Sequence, residues 1–400
     1  MRTSCSEKGV NTMKNIKIRK LISGAVAAAL SLALLAGCAA GAVSETVNSE
    51  SASEAVLQEP SYSEEETPLI DISDGSYVDI AAGGTYIITG ESSDCGITVD
   101  AGDEDVQLVL RDVSLTCTDS AAITVLSAGE VTITLEGSNY LANGGQFVSV
   151  SDEEIDSVIF SKCDLTVSGE GSLEISSPSG SGIVCKDNMV ITGGSYVIEA
   201  SDDGINTNDS LLITGGSFTI DAGDDAIHTD GTLDITGGTM DLTAAEGLEG
   251  TQIVIDGGEI TISATDDGIN AAQKTEDMEV FVEITGGTIT ITMGQGDTDG
   301  IDSNGDITIA GGTVDITGMS AVDYDGTAVL TGGTLIINGV ESDTIPNQEM
   351  GGAAPVEGTL PEGELPGEPP SGEVPMAGPD GGFPQGQPPE GDPPQGMLPG

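Results

Sequence analysis

Tryptophan is absent from these 400 residues, histidine occurs once, and aromatic residues make up only 3%. Cations are nearly as scarce: 10 Lys+Arg stand against 67 Asp+Glu, a formal net charge of -57. Six of the ten (Arg2, Lys8, Lys14, Lys17, Arg19 and Lys20) precede residue 21, which leaves Arg111, Lys162, Lys186 and Lys274. So few cations cannot neutralise nucleic-acid phosphates or an anionic membrane surface, and both are excluded as partners. One His and no CxxC pair argue against zinc. No stretch carries helical periodicity of useful length. The dearth of aromatics also counts against a propeller, whose blades need about 40 residues and carry periodic aromatics. Acidity with few aromatics is a mark of disorder. The 37% hydrophobic residues, set in strict alternation, exclude that for the middle of the chain.

At the N-terminus, Lys14, Lys17, Arg19 and Lys20 precede an apolar run from Leu21 to Leu35, the plan of an export signal. The run ends in Leu35-Ala36-Gly37-Cys38, the pattern of a bacterial lipoprotein signal in which the Cys is lipidated and becomes the first mature residue. Residues 1–37 are therefore expected to be a signal peptide, with Met13 the more natural start. Two acyl chains suffice for stable attachment, which predicts a lipid-anchored protein on the extracellular face of the bacterial membrane. Residues 38–70, rich in Ser and Glu, read as a flexible spacer. Residues 345–400 hold 14 of the 17 prolines and read as a disordered tail.

Between these segments, residues 71–344 are one repeat. Ile191–Asn206 (ITGGSYVIEASDDGIN), Ile213–His228 (ITGGSFTIDAGDDAIH) and Ile235–Gly250 (ITGGTMDLTAAEGLEG) show its period of about 22 residues. The first Gly of each pair falls at Gly193, Gly215, Gly237, Gly257, Gly286, Gly311 and Gly332. Apolar residues alternate within each unit: Leu211 and Ile213, then Phe218, Ile220 and Ala222, then Ile227. Period-2 alternation in short segments with Gly and Asp corners predicts an all-β fold. Its form is a single-stranded right-handed parallel β-helix, a solenoid of on the order of 12 coils. The spacing stretches before Gly286 and Asp299, so Ala271–Glu279 and Thr292–Thr298 are expected to be loops.

An acidic turn recurs with the repeat, at Asp203, Asp225, Glu246, Asp267, Asp299 and Asp323. Neighbouring coils sit about 4.8 Å apart. Two carboxylates at that distance repel by about 1 kcal/mol in water and about 3.5 kcal/mol at an effective dielectric of 20. Calcium offsets such repulsion, because it takes six to eight oxygen ligands and can be shared between coils. The turns supply that donor set: Asp202, Asp203 and Asn206; Asp224, Asp225 and Asp230; Glu246 and Glu249; Asp266, Asp267 and Asn270; Asp299 and Asp302; Asp323 and Asp325. The bland alternative is ordinary corner residues with solvated charges. His228 stands at the Asn206 position of its coil and reads as a member of the column, not a catalytic base.

Cys95 and Cys117 lie 22 residues apart, as do Cys163 and Cys185. One period would stack each pair within disulfide reach. Two readings stay open, two disulfides or a column of buried thiols.

The tandem ITGGxxxIxAxDDGIN units behind a lipobox resemble a family of bacterial surface proteins described as carbohydrate-binding. The resemblance is close over about Ile191–Asn338 and weaker over 77–190. It implies a β-helix akin to pectate lyases, several calcium ions held by the acids named above, and association with cellulose and polygalacturonate. Cellulose binding usually rests on flat aromatic platforms, which are missing, so an acidic, pectin-like polysaccharide bridged through calcium is the expected partner. The membrane is reached through the anchor only, and a monomer is expected. An enzyme is not expected. A lyase needs a cationic base and positive charge near its enolate, and no Lys or Arg lies within a repeated turn. A hydrolase needs one specialised acid pair, whereas every coil carries one. The alternative is a calcium-rigidified stalk or adhesin without glycan specificity.

Overall fold

The computed structural model describes residues 61–145, 147, 155–294 and 298–347, with the backbone of 16–18. Cys38, most of the signal segment, the spacer up to residue 60 and the tail from 348 lie outside the described residues.

The chain winds as a parallel β-solenoid of about 11 turns, its coils about 23 residues apart. A single apolar row records the winding. It runs Val78, Ile97, Ile123, Ile159, Ile183, Ile205, Ile227, Leu248, Ile269, Ile301, Val322, each residue in register with the next. Each regular coil has three strands. In one coil these are Ile205–Thr207, Ser210–Ile213 and Ser217–Ala222. The Gly-Gly corner joins the second to the third, and the acidic turn leads from the third to the next coil's first. Among the described residues the helical content is one 3-10 turn, Ile72–Asp74, and no helix is long and apolar enough to cross a membrane.

Alternation makes this winding. Strand side chains point to opposite faces in turn, and Leu211, Ile213, Phe218, Ile220 and Ile227 all point inward and are buried. Their neighbours Ser217, Thr219 and Asp221 face solvent. The Gly pair makes the sharpest corner. Its second member takes positive φ (Gly216 +109°, Gly238 +104°), and a Cβ on Gly311 would stand 2.0 Å from the Thr285 carbonyl oxygen. Both demands exclude side chains, one by torsion and one by the coil beneath.

The last coil ends differently from the rest. Thr334–Ile337 pairs antiparallel with Val340–Ser342 through Asn338 and Gly339, at φ 52° and 78°. Asn-Gly with both φ positive is the tight hairpin turn, and it covers an edge that would otherwise present unpaired backbone. At the other end, Arg111 donates to Tyr62 at 2.8 Å, Glu64 at 3.0 Å and Glu136 at 2.8 Å, tying residues before Leu69–Asp71 to the solenoid.

The expected loop bounds need adjusting. The strands Ile269–Ala271 and Thr288–Met293 run into the segments expected to be loops, which leaves 272–280, Gly294 and Thr298 outside strands. The number of coils, about 11, agrees with the expectation of on the order of 12. Of the two readings left open for Cys95, Cys117, Cys163 and Cys185, the structure has free thiols, three of them buried. Register explains why Cys163 and Cys185 do not stack: Cys185 lies opposite Ser161, so Cys163 is displaced by two residues. The Cys185 thiol instead meets the Cys163 and Asn188 carbonyl oxygens, each at 3.4 Å.

Candidate functional site: an acidic corner

The acidic turn lies at the corner entering the strands of the Ile205 row. Two rows of polar side chains climb it. In the first, Asp225 is in register with Glu246, and Asp299 with Ser320. Carboxylates also bind the next coil's backbone: Asp225 N donates to Asp203 Oδ1 at 3.2 Å, and Asp299 N to Asp267 Oδ1 at 3.0 Å. In the second row, Asn206, His228, Glu249, Asn270, Asp302 and Asp323 follow one another in register. One sequence alignment is corrected here. Asp323 does not continue the first row, where Ser320 takes the place of an acid, but stands opposite Asp302 in the second. The SAVDY segment of the final coil enters its strand without an acid at the turn.

The corner divides into three levels. At the first, Asp202, Asp203 and Asp224 each place a carboxylate oxygen within 4.8 Å of the others. Asn206 Nδ2 donates to Asp203 Oδ2 at 2.6 Å. Burial raises the pKa of Asp203, against the hydrogen bonds from Asn206 and the Asp225 backbone. Asp202 is also raised, by burial and by the charges of Asp203 and Asp224.

At the middle level the protein provides its own cations. His228 Nδ1 lies 2.9 Å from Asp225 Oδ2 and 2.5 Å from Glu249 Oε2, and Nε2 lies 3.2 Å from Asp230 Oδ1. Burial alone would lower the His228 pKa, but hydrogen bonds to Asp225 and Glu249 and the Glu249 charge push it up to about 11. Both ring nitrogens face carboxylate oxygens, an arrangement that favours the imidazolium, in which both donate. The Lys274 ammonium contacts Glu249 Oε1. With cations on both oxygens Glu249 stays ionised despite burial, while burial pushes Asp225 upward. Sequence reasoning missed Lys274, because it lies outside every repeated turn. Its one signal was position: a Lys inside the insertion that lengthens the repeat before Gly286.

At the third level Asn270 lies between the second and the last acids. Its Nδ2 donates to Glu246 at 3.0 Å, and its buried Oδ1 has no hydrogen-bond partner. The next residue in the row is Asp302. Burial, then the charges of Asp302, Glu246 and Asp266, push Asp267 up to about 7. Burial, then the charges of Asp299 and Asp323, push Asp302 up to about 6. Asp266 and Asp325 lie at the exposed rim. Crowded hard oxygens and an amide oxygen lacking a donor are what calcium binds, so the first and third levels fit that ion.

A second concavity, of about 610 Å³, lies at the Gly-rich corner and is lined by Thr134, Leu135, Glu136, Gly137, Gly169, Glu170 and Gly171. It is remote in register from the acidic corner, since Val167 leads to Ile191 and thence to the Gly193-Gly194 turn.

The model of the family described as carbohydrate-binding domain-containing protein matches residues 74–251 and 226–345. A protein of that description from Acetivibrio thermocellus is 33% identical over 128 residues, which span 31% of this chain and 45% of the relative. Among solved structures, the polysaccharide lyase-like protein from C. thermocellum, a gadolinium derivative, is 26% identical with a TM-score of 0.42. The likeness covers 67% of this chain and 95% of that one.

Proposed function

This chain belongs to the carbohydrate-binding domain family, and from that premise we propose that it holds an acidic, pectin-like extracellular polysaccharide at its acidic corner through calcium. The observation that carries the reading is the third level of the corner. There Asp267, Asn270, Asp299, Asp302 and Asp323 gather on successive coils, and the Asn270 amide oxygen is buried without a donor. Asp202, Asp203 and Asp224 make a similar oxygen set two coils away. When bound there, calcium would bridge protein carboxylates to uronate carboxylates. A net charge of -57 would otherwise repel such a glycan. The protein's own groups do the rest: the backbone amides of Asp225 and Asp299 and the side chain of Asn206 aim the carboxylates.

The chain is read as a binding protein, not an enzyme. Lys274 is the cation at this corner that a lyase would use as its base. Burial would lower its pKa, but the hydrogen bond to Glu249 and the charges of Glu249, Glu246 and Asp225 raise it. Its ammonium is held on Glu249 and not turned to a substrate. The carrier is proposed to be a lipoprotein anchored through Cys38 at the outer face of the membrane.

The test is retention of the full chain on immobilised polygalacturonate, cellulose and a neutral glycan, with calcium and with chelator. Calcium-dependent retention on polygalacturonate is expected. Retention on none would sink the binding reading and leave a calcium-stiffened stalk. Release of unsaturated oligosaccharides, followed by ultraviolet absorbance, would turn the reading to a lyase.

A further inference from the structure

We infer that the middle level of the acidic corner takes no metal, and that Lys274 with His228 forms a tethered counter-ion pair in the place of an ion. The calcium reading of the neighbouring levels supplies the probe, but the inference concerns this chain's own cations.

Three observations carry it. First, four carboxylate oxygens at this level already face a Lys or His nitrogen. Glu249 gives Oε1 to Lys274 and Oε2 to His228, Asp225 gives Oδ2 to His228, and Asp230 gives Oδ1 to the other ring nitrogen. A divalent ion would have to displace the Lys274 ammonium and the His228 ring to reach them. Second, the Lys is built in. Its own N–H and that of Thr275 donate to Thr251 Oγ1 at 3.0 and 3.2 Å, and Thr251 is fully buried. Thr275 Oγ1 donates in turn to the Asp230 carbonyl oxygen at 2.9 Å. The segment after Ala271 thus folds back onto the coil that carries Glu249 and delivers the ammonium there. A solvated surface pair has no such anchoring, and Glu249 is only 6% exposed, so its charge needs a partner. Third, the row itself shows what was replaced. His228 stands between Asn206 and Glu249, and Asn270 follows. On either side of this level the row carries the amides Asn206 and Asn270, whereas the level itself carries His228 and Glu249.

The test compares calcium bound per full-length molecule, measured by atomic emission after equilibrium dialysis against calcium chloride. The proteins are the wild type, Lys274→Met, the double variant His228→Asn/Lys274→Met, and Lys274→Arg. The double variant restores an amide at His228 and removes both cations, so it is expected to bind one more calcium than wild type. Its melting temperature should fall in chelator and recover in calcium. Lys274→Arg keeps a cation and should match wild type in both readings. A double variant with the wild-type calcium count, or one destabilised equally with and without calcium, overturns the inference. Should wild type bind no calcium while the double variant binds one, the calcium reading of the outer levels fails and this one stands. If the double variant does not fold even in calcium while Lys274→Arg does, the level has gained no metal site and the inference also falls.

Discussion

Tyr196 and Phe218 stack inside the solenoid, one coil above the other, with ring centroids 4.7 Å apart and 7° between their planes. Parallel register imposes this geometry, because equivalent residues of adjacent coils must superpose. The Tyr196 hydroxyl escapes burial without a partner by donating to the Gly193 carbonyl oxygen at 2.8 Å. Met240 continues the row past Phe218. We expect Phe218→Ala to lower stability by about 3–5 kcal/mol and Phe218→Leu by less. Thermal or urea unfolding of the two variants reads the difference. Equal losses would mean that volume in this row matters little.

The Gly-Gly corner should tolerate substitution unevenly. A Cβ on Gly193 would meet its nearest neighbour at 3.1 Å, whereas one on Gly311 would lie 2.0 Å from the Thr285 carbonyl oxygen. Gly311→Ala is therefore expected to cost about 1–3 kcal/mol by overpacking, and Gly193→Ala less. Melting temperatures of the two purified variants check the order.

Without metal, stability should fall as pH rises from about 4 to about 7. Glu246, Asp267 and Asp302 hold protons more tightly when folded, at about 7, 7 and 6, with burial the leading cause. A carboxylate raised in the folded state stabilises fully below its ordinary value, and that contribution is lost as pH climbs through the folded value. His228 acts in the same sense from its ordinary 6.5 toward 11. Glu249 is held low, so its contribution is lost only as pH falls below the ordinary carboxylate range. General self-repulsion of an acidic chain has the same sign. The discriminating measurement is therefore melting temperature against pH in chelator for wild type and for Asp267→Asn/Asp302→Asn. The double variant should show the shallower slope, and an unchanged slope would count against crowding at the third level.

Those two substitutions should also act on ligands. Removing two hard oxygens from one level is expected to lower the calcium count and to weaken retention on polygalacturonate. Asp266→Asn, at the exposed rim, should change both much less. Dialysis and column retention on the same preparations would show whether the two losses go together.

Cys38 lies outside the described residues, and its role is tested directly. Cys38→Ser is expected to move the protein from the detergent phase to the aqueous phase in detergent phase separation of whole cells. Unchanged partition would leave the anchor reading without support.

Much of this protein was legible in one dimension. Alternation in Leu211, Ile213, Phe218, Ile220 and Ile227 named the buried face, because a strand side chain has only two directions. The Gly pairs marked corners, because only Gly accepts both the torsion and the coil beneath. The acidic turns fell at the predicted corner wherever the repeat was regular. Where coils changed length, the sequence lost its grip. A 24-residue step sets Cys185 opposite Ser161 and leaves Cys163 and Cys185 unstacked, and the last coil moves Asp323 into the second row.

Sequence alone thus determined the repeat, the core rows and the acidic corner, since each depends on local periodicity and on the steric needs of single residues. Only the tertiary structure decided which acids share a cation. Lys274 lies on the coil after Glu249 but outside the repeated turn, four residues past Asn270 in the insertion that breaks the repeat. Thr251 and Thr275 fold the segment after Ala271 back onto the corner. That fold divides one continuous column of charge into two levels suited to calcium and one level neutralised from within.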